Sequence, residues 1–208
     1  MRTIKPKKGL TVKYDRRSSI KRKTGETDIQ LWLDIDGSGR SSIKTGIPFF
    51  DHMLKLFTKH GSFDLKLKAK GDIEVDYHHT VEDVGICIGQ AFREALGDKE
   101  SIARYGVAKV PMDEALTEAI IDISGRPHLT YNAEITKTKF KDFDVEVVRE
   151  FFEAFVMNAG ITIHINLLRG RNMHHKIESI FKAFAVALSK ACELSPRNKG
   201  IPSTKGIL

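Results

Sequence analysis

The sequence predicts an α+β protein built from one β-β-α-β-(β)-α unit written twice, each half a sheet covered by two helices. Three observations carry that expectation. The stretch His78-His79-Thr80-Val81-Glu82 recurs as His174-His175-Lys176-Ile177-Glu178, 96 residues later. Each copy opens a segment whose apolar residues keep helical spacing: Val81, Val84, Ile88, Phe92 and Ala95 in the first, Ile177, Phe181, Phe184 and Leu188 in the second. Each copy is also preceded by a strand-like stretch and, before that, by a helix-like one.

Taken in order, residues 1–21 form a basic N-terminal extension, 22–108 the first repeat and 109–208 the second. Each repeat opens on strand pairs broken by turn residues, Asp36-Gly37-Ser38-Gly39 in one and Ser124-Gly125-Arg126-Pro127 in the other. Helical stretches follow at Phe49–His60 and Val145–Asn158, then strands at Phe63–Ala69 and Ile161–Leu167. The helices that start with the His-His pairs close each unit. No Pro- or Ser-rich linker separates the repeats, so they are expected to pack against each other. Trp32, alternating with Leu31 and Leu33, reads as core or interface; His128 reads as an exposed loop residue. His164, pointing opposite to Ile163 and Ile165 on its strand, reads as structural.

The chain has 208 residues and a net charge of +7, which invites a nucleic-acid reading until the charge is located. Residues 1–23 hold ten Lys or Arg against the single Asp15, and the rest carries 24 basic against 26 acidic residues. The excess thus belongs to a tail, and no aromatics interleave with it as a base-stacking platform requires. The apolar runs fall far short of the ~20 residues of a membrane span, and the N-terminus lacks the apolar stretch of a secretory signal. Cys87 and Cys192 have neither metal-ligand nor redox spacing, as in a reduced, cytoplasmic protein.

The His-His-x-x-Glu stretches carry the chemistry. A histidine and a glutamate four residues later share one helix face, within reach of one metal ion. A single such pair is often a solvated ion pair; two at matched positions argue for a metal. Imidazole plus carboxylate, without thiolate, suits Mn, Fe, Co or Zn. Neighbouring residues on a helix diverge by about 100°, so His78 and His79 cannot both face one ion from within it. If both are ligands they serve different ions, and each ion collects ligands from more than one repeat or more than one subunit.

Five motifs in order complete the picture: Gly46-Ile47-Pro48-Phe49-Phe50-Asp51-His52-Met53-Leu54, Asp76-Tyr77-His78-His79-Thr80-Val81-Glu82-Asp83, Pro111-Met112-Asp113-Glu114-Ala115-Leu116, Asp122-Ile123-Ser124-Gly125-Arg126-Pro127, and the second His-His stretch. From about Arg22 to the C-terminus the chain resembles the imidazoleglycerol-phosphate dehydratases. The resemblance implies dehydration of imidazole glycerol phosphate to imidazole acetol phosphate in histidine biosynthesis. It further implies a 24-subunit shell with two manganese ions in each active site, formed between subunits.

Carried over position by position, the implied metal ligands are His52, His78, His79, Glu82, Glu150, His174, His175 and Glu178. Many members carry His where this chain has Glu150, which lies 98 residues after His52. Glu26 matches a substrate-contacting glutamate and is the first candidate for proton transfer; Glu178, His60 and Asp113 are further candidates. A phosphate end is implied for Arg104, Arg126, Lys182, Ser203, Thr204 and Lys205, the last three in a C-terminal tail. Substrate contacts extend to His52, His60, His78, His79, Glu82, His174, His175 and Glu178. Two other classes stay open: a nucleic-acid-binding protein acting through its tail, and a non-enzymatic metal-binding assembly protein. The second has no need of Glu26, Arg104 or Arg126.

Overall fold

The computed structural model describes residues 15–135, 139–140 and 142–208, so most of the expected extension lies outside it. The first half runs β1 (Arg17–Lys23), β2 (Thr27–Asp34), β3 (Ser41–Lys44), α1 (Pro48–Gly61), β4 (Asp64–Gly71), α2 (His78–Leu96). The second repeats the order as β5 (Tyr105–Met112), β6 (Ala115–Asp122), β7 (His128–Asn132), α3 (Glu146–Ala159), β10 (Thr162–Arg169) and α4 (Met173–Cys192). A short hairpin, β8 (Lys139–Phe140) with β9 (Phe143–Asp144), is inserted before α3. The two larger sheets share one topology, β1-β2-β4-β3 and β5-β6-β10-β7. In both, the strand before the helix pairs in parallel with the strand after it, and the other neighbours are antiparallel.

The duplicated α+β architecture is therefore as expected, with one correction to the order within the unit. The additional strand precedes the first helix, giving β-β-β-α-β-α. The reason lies in its weak pattern: only Ile43 is buried in β3, and no residue of β7 is fully buried. Edge strands of this kind lack the alternation that marks a half-buried strand. The turn at Asp36–Gly39 accordingly links β2 to β3 on the far side of β4, and His128 begins β7 although it is exposed.

β1 also starts inside the stretch assigned to the extension. Arg16, just before it, and basic side chains of β1 meet acids of the first half: Arg16 pairs with Asp36, Arg17 Nε lies 2.8 Å from Asp34, and Arg22 Nη2 lies 2.9 Å from Asp83. Part of the basic excess is thus internally neutralised.

Burial follows from alternation. In β2, Ile29, Leu31 and Leu33 point inward and sit opposite Ala69, Leu67 and Leu65 of β4. Helices α1 and α2 cover the first sheet and α3 and α4 the second, while α1 packs on α4 and α2 on α3. Four helices therefore fill the middle of a sheet–helix–sheet sandwich with one continuous core. Aromatic rings cross the boundary between repeats: Phe57 stacks on Phe184 at 5.3 Å, and Phe50 meets Phe151 edge-on at 5.5 Å. Glycines set the α2–α3 distance. A Cβ on Gly85 would lie 2.7 Å from the Phe151 carbonyl oxygen, and one on Gly89 would lie 2.6 Å from that of Phe155. Cys87 and Cys192 are buried free thiols.

Candidate active site

The site grows from the first turns of α2 and α4. At α4, Asn172 caps the helix: its side chain accepts the backbone N–H groups of His174 and His175. At α2, the Asp76 carboxylate accepts the N–H of His78 at 2.8 Å. Both His-His pairs are thereby held at helix starts, with the two rings of each pair nearly perpendicular.

Among the described residues one set of three metal-type ligands converges: His52 of α1 with His174 and Glu178 of α4, their donor atoms all within 4.8 Å of one another. Glu178 is the buried hub. One carboxylate oxygen lies 3.0 Å from His174 Nε2 and 3.6 Å from His52 Nε2, and the other lies 2.6 Å from Lys182 Nζ. Burial alone would raise this carboxyl; the Lys182 ammonium and His174 outweigh it and hold Glu178 below the ordinary carboxylate range. An apolar cleft of Ile47, Pro48, Phe49, Tyr77 and Phe143 opens beside His52 and His174. His60, at the end of α1, is lowered by desolvation and then by Lys182, which favours a neutral ring.

The first repeat holds the matching pair in an open state. His78 Nε2 lies 3.7 Å from Glu82, and both side chains are 44–45% exposed. Glu150 occupies in α3 the place of His52 in α1, yet it lines a cleft with Tyr131, Arg149 and Lys176 and completes no second cluster among the described residues.

The second histidines are arranged differently. His79 Nδ1 lies 3.0 Å from Asp72, with Nε2 3.7 Å from Glu26. His175 Nδ1 lies 2.7 Å from Glu114, with Nε2 3.7 Å from Asp113. These hydrogen bonds, to Asp72 and Glu114 respectively, are the leading cause of the raised pKa of each ring. Glu114 also accepts the N–H groups of Arg171 and Asn172, and its carboxyl falls to about 2, chiefly through His175. Imidazoles bonded through one nitrogen to a carboxylate, with no thiolate near, form a donor set that fits a divalent transition metal.

The implied phosphate residues are divided. Arg104 donates twice to Asp122 and once, at 2.8 Å, to the Pro202 carbonyl, which leads into Ser203, Thr204 and Lys205. Arg126 sits in the turn whose Gly125 abuts Leu208; a Cβ there would come within 2.5 Å of the Leu208 carbonyl carbon. Lys182 instead belongs to the Glu178 cluster. His128 and His164 face each other at 5.9 Å on β7 and β10, outside the metal cluster. The residues that sequence reasoning missed are Asp72 and Glu114. Only the structure relates Glu114 to a residue singled out beforehand: β1–β2 and β5–β6 share one register at an offset of 88, which gives Glu26 and Glu114 the same hairpin place.

Fold and site together define a class: a two-repeat α+β protein with paired histidines at helix starts and a His-His-Glu cluster between α1 and α4. The family model for imidazoleglycerol-phosphate dehydratase matches residues 45–188. The imidazoleglycerol-phosphate dehydratase of Acetivibrio thermocellus is 57% identical over 93% of this chain and 100% of its own length. That of Caldanaerobacter subterraneus subsp. tengcongensis is 58% identical over 93% and 100%. The crystal structure of the Staphylococcus aureus subsp. aureus N315 enzyme superposes with a TM-score of 0.79 at 44% identity, over 86% of this chain and 99% of that one. The Pyrococcus furiosus structure, solved with (S)-C348, gives 0.78 at 36% identity over 91% and 100%. The chain belongs to the imidazoleglycerol-phosphate dehydratase family.

Proposed function

We propose that this chain is a metal-dependent hydro-lyase that converts imidazole glycerol phosphate to imidazole acetol phosphate in histidine biosynthesis. The observation that carries the reading is the His52–His174–Glu178 cluster, lying within a chain that matches the dehydratase family along most of its length. Two Mn²⁺ ions per site would be held by His52, His78, His79, Glu82, Glu150, His174, His175 and Glu178. Bound there, the metal would supply Lewis acidity toward a ring nitrogen of the substrate.

The chain's own groups divide the remaining work. Water leaves as the hydroxyl of the carbon next to the ring and the hydrogen of the following carbon; the resulting enol becomes the ketone. Glu26, half-exposed at the β1–β2 hairpin tip and facing His79 Nε2, takes the carbon-bound proton. Asp113, beside His175 Nε2, and the neutral His60 are the candidates for returning a proton to the leaving oxygen. Glu178, paired with Lys182 and close to two imidazoles, stays ionised and acts as a ligand. Arg104, Arg126, Lys182, Ser203, Thr204 and Lys205 bind the phosphate; their division within one chain supports a pocket assembled across subunits.

The exposure of His78 and Glu82 supports the same assembly, a 24-subunit shell with sites between subunits. A basic extension ahead of β1, repeats that begin at β1 and at β5, and a cytoplasmic location complete the reading; no described helix is long and apolar enough to cross a membrane. The test is turnover of imidazole glycerol phosphate by metal-stripped protein, with and without added Mn²⁺. Activity is expected only with metal. Full turnover in excess chelator, with metal absent by elemental analysis, refutes the metal dependence. No turnover with Mn²⁺ present refutes the activity.

A further inference from the structure

We propose that Asp72 and Glu114 are positioning residues, which fix the second histidine of each pair with its proton on Nδ1 and its Nε2 presented as the metal ligand. The proposal rests on the metal-dependent reading above. Which imidazole nitrogen ligates is set by the hydrogen bond that the other makes. His79 and His175 make the same bond, from Nδ1 to a carboxylate, at 3.0 and 2.7 Å.

The duplication makes this more than a pair of ion contacts. His79 and His175 occupy the same place in the two repeats, but their carboxylates do not. By the shared hairpin register Glu114 is the counterpart of Glu26, not of Asp72. The bulge between Leu167 and Arg169 shifts β10 against β4. A Cβ on Gly71 would meet Thr80 and Thr27 where one on Gly170 would meet the equivalent Lys176 and Ala115, so Gly170 matches Gly71 and Asp72 falls at Arg171. Copies of one ancestral unit would inherit the same partner; here an identical contact has been rebuilt from a different element.

The connections differ in length: residues 72–77 separate Gly71 from His78, whereas only 171–173 separate Gly170 from His174. The longer loop carries Asp72 beside His79; in the second repeat the hairpin-tip glutamate makes the contact. Glu114 is itself braced by the N–H groups of Arg171 and Asn172, at 3.0 and 2.7 Å, and Asn172 caps α4 in turn. Hairpin, cap and imidazole form one network. In the first repeat, the other Asp72 oxygen is buried with no hydrogen-bond partner among the described residues, which leaves His79 as its anchor. The exchange also frees Glu26, the hairpin-tip glutamate of the first repeat, to face His79 Nε2.

The test is titration of the full, metal-stripped chain with Mn²⁺, following free Mn²⁺ by electron paramagnetic resonance, for wild type, D72N, E114Q and E118Q. E118Q removes the same charge from the same strand region, where Glu118 meets Lys109 and Asn166. D72N and E114Q should each weaken Mn²⁺ binding by about 10- to 100-fold. Their metal-free melting temperatures should stay near wild type, and E118Q should bind as wild type does. Wild-type affinity in D72N and E114Q overturns the proposal, as does an equal loss in E118Q. If E114Q does not fold, E114D serves: it keeps the charge one methylene short of Nδ1, must also lose affinity, and wild-type binding by it overturns the proposal. A wild-type chain that takes up no Mn²⁺ refutes the metal-dependent reading itself, and the proposal falls with it.

Discussion

Glu178 and Glu26 illustrate how surroundings assign work to chemically identical side chains. Glu178 is buried against Lys182 and two imidazoles, a setting that keeps it charged and immobile. Glu26 stands at a hairpin tip with one imidazole nitrogen nearby and room to move. E26Q is therefore expected to lower kcat by about 100-fold or more while Mn²⁺ content stays at wild type; paired kinetics and elemental analysis check this, and unchanged turnover removes Glu26 from proton transfer. Asp64 shows the same logic applied to stability. It accepts the N–H groups of Ser38 and Arg40 and a bidentate Arg40 guanidinium, which, against the upward push of burial, hold its carboxyl well below the ordinary 3.8. A depressed folded-state value means that the contribution is complete above the ordinary value and is lost as the pH falls further. D64N should be less stable than wild type at neutral pH, and should lose less on going from about pH 5 to about pH 2.5. Urea midpoints of both proteins across that range test it; parallel slopes would show that Asp64 does not drive the acid limb.

At the scale of elements, the contact between α2 and α3 depends on missing side chains. Gly85 and Gly89 lie one turn apart and let the α3 backbone approach within a distance that a methyl group cannot share. The opposing atoms are carbonyl oxygens of a packed helix, which cannot swing away. G85A is expected to destabilise the protein by about 1–3 kcal/mol, as overpacking does. Equilibrium urea unfolding measures it, and a stabilised variant would mean that helix propensity outweighs the close approach. The same element scale shows what was legible in the sequence. Helices α1 to α4 and strands β4 and β10 follow from apolar spacing, because each buries one strong face. Strands β3 and β7 were not legible, since an edge strand with one buried residue or none has no pattern to read.

For the whole molecule, the two His-His-x-x-Glu stretches differ in how far their candidate ligand sets close. The cluster of His52, His174 and Glu178 closes within the chain, whereas His78 and Glu82 remain open. Ligands drawn from separate subunits would couple metal binding to assembly, because ions that bind only the assembled form stabilise it by mass action. A large particle is expected with Mn²⁺ at neutral pH and a smaller one after chelation, and His79→Ala should favour the smaller form even with Mn²⁺. Light scattering on the three samples decides it; identical masses would show that the metal does not join subunits.

The sequence by itself determined the duplication, the fold class and the candidate ligand types, because a repeated His-His-x-x-Glu stretch and helical apolar spacing are local, periodic signals. It also named the residues of the closed cluster, although it could not show that His52 would meet Glu178 of the other repeat. Only the tertiary structure decided which carboxylate holds which imidazole. Asp72 lies seven residues before His79, but Glu114 lies 61 residues before His175. That second pairing depends on how closely a hairpin tip approaches a helix cap. Such distances are set by the packing of whole elements against one another, which no spacing along a single chain records.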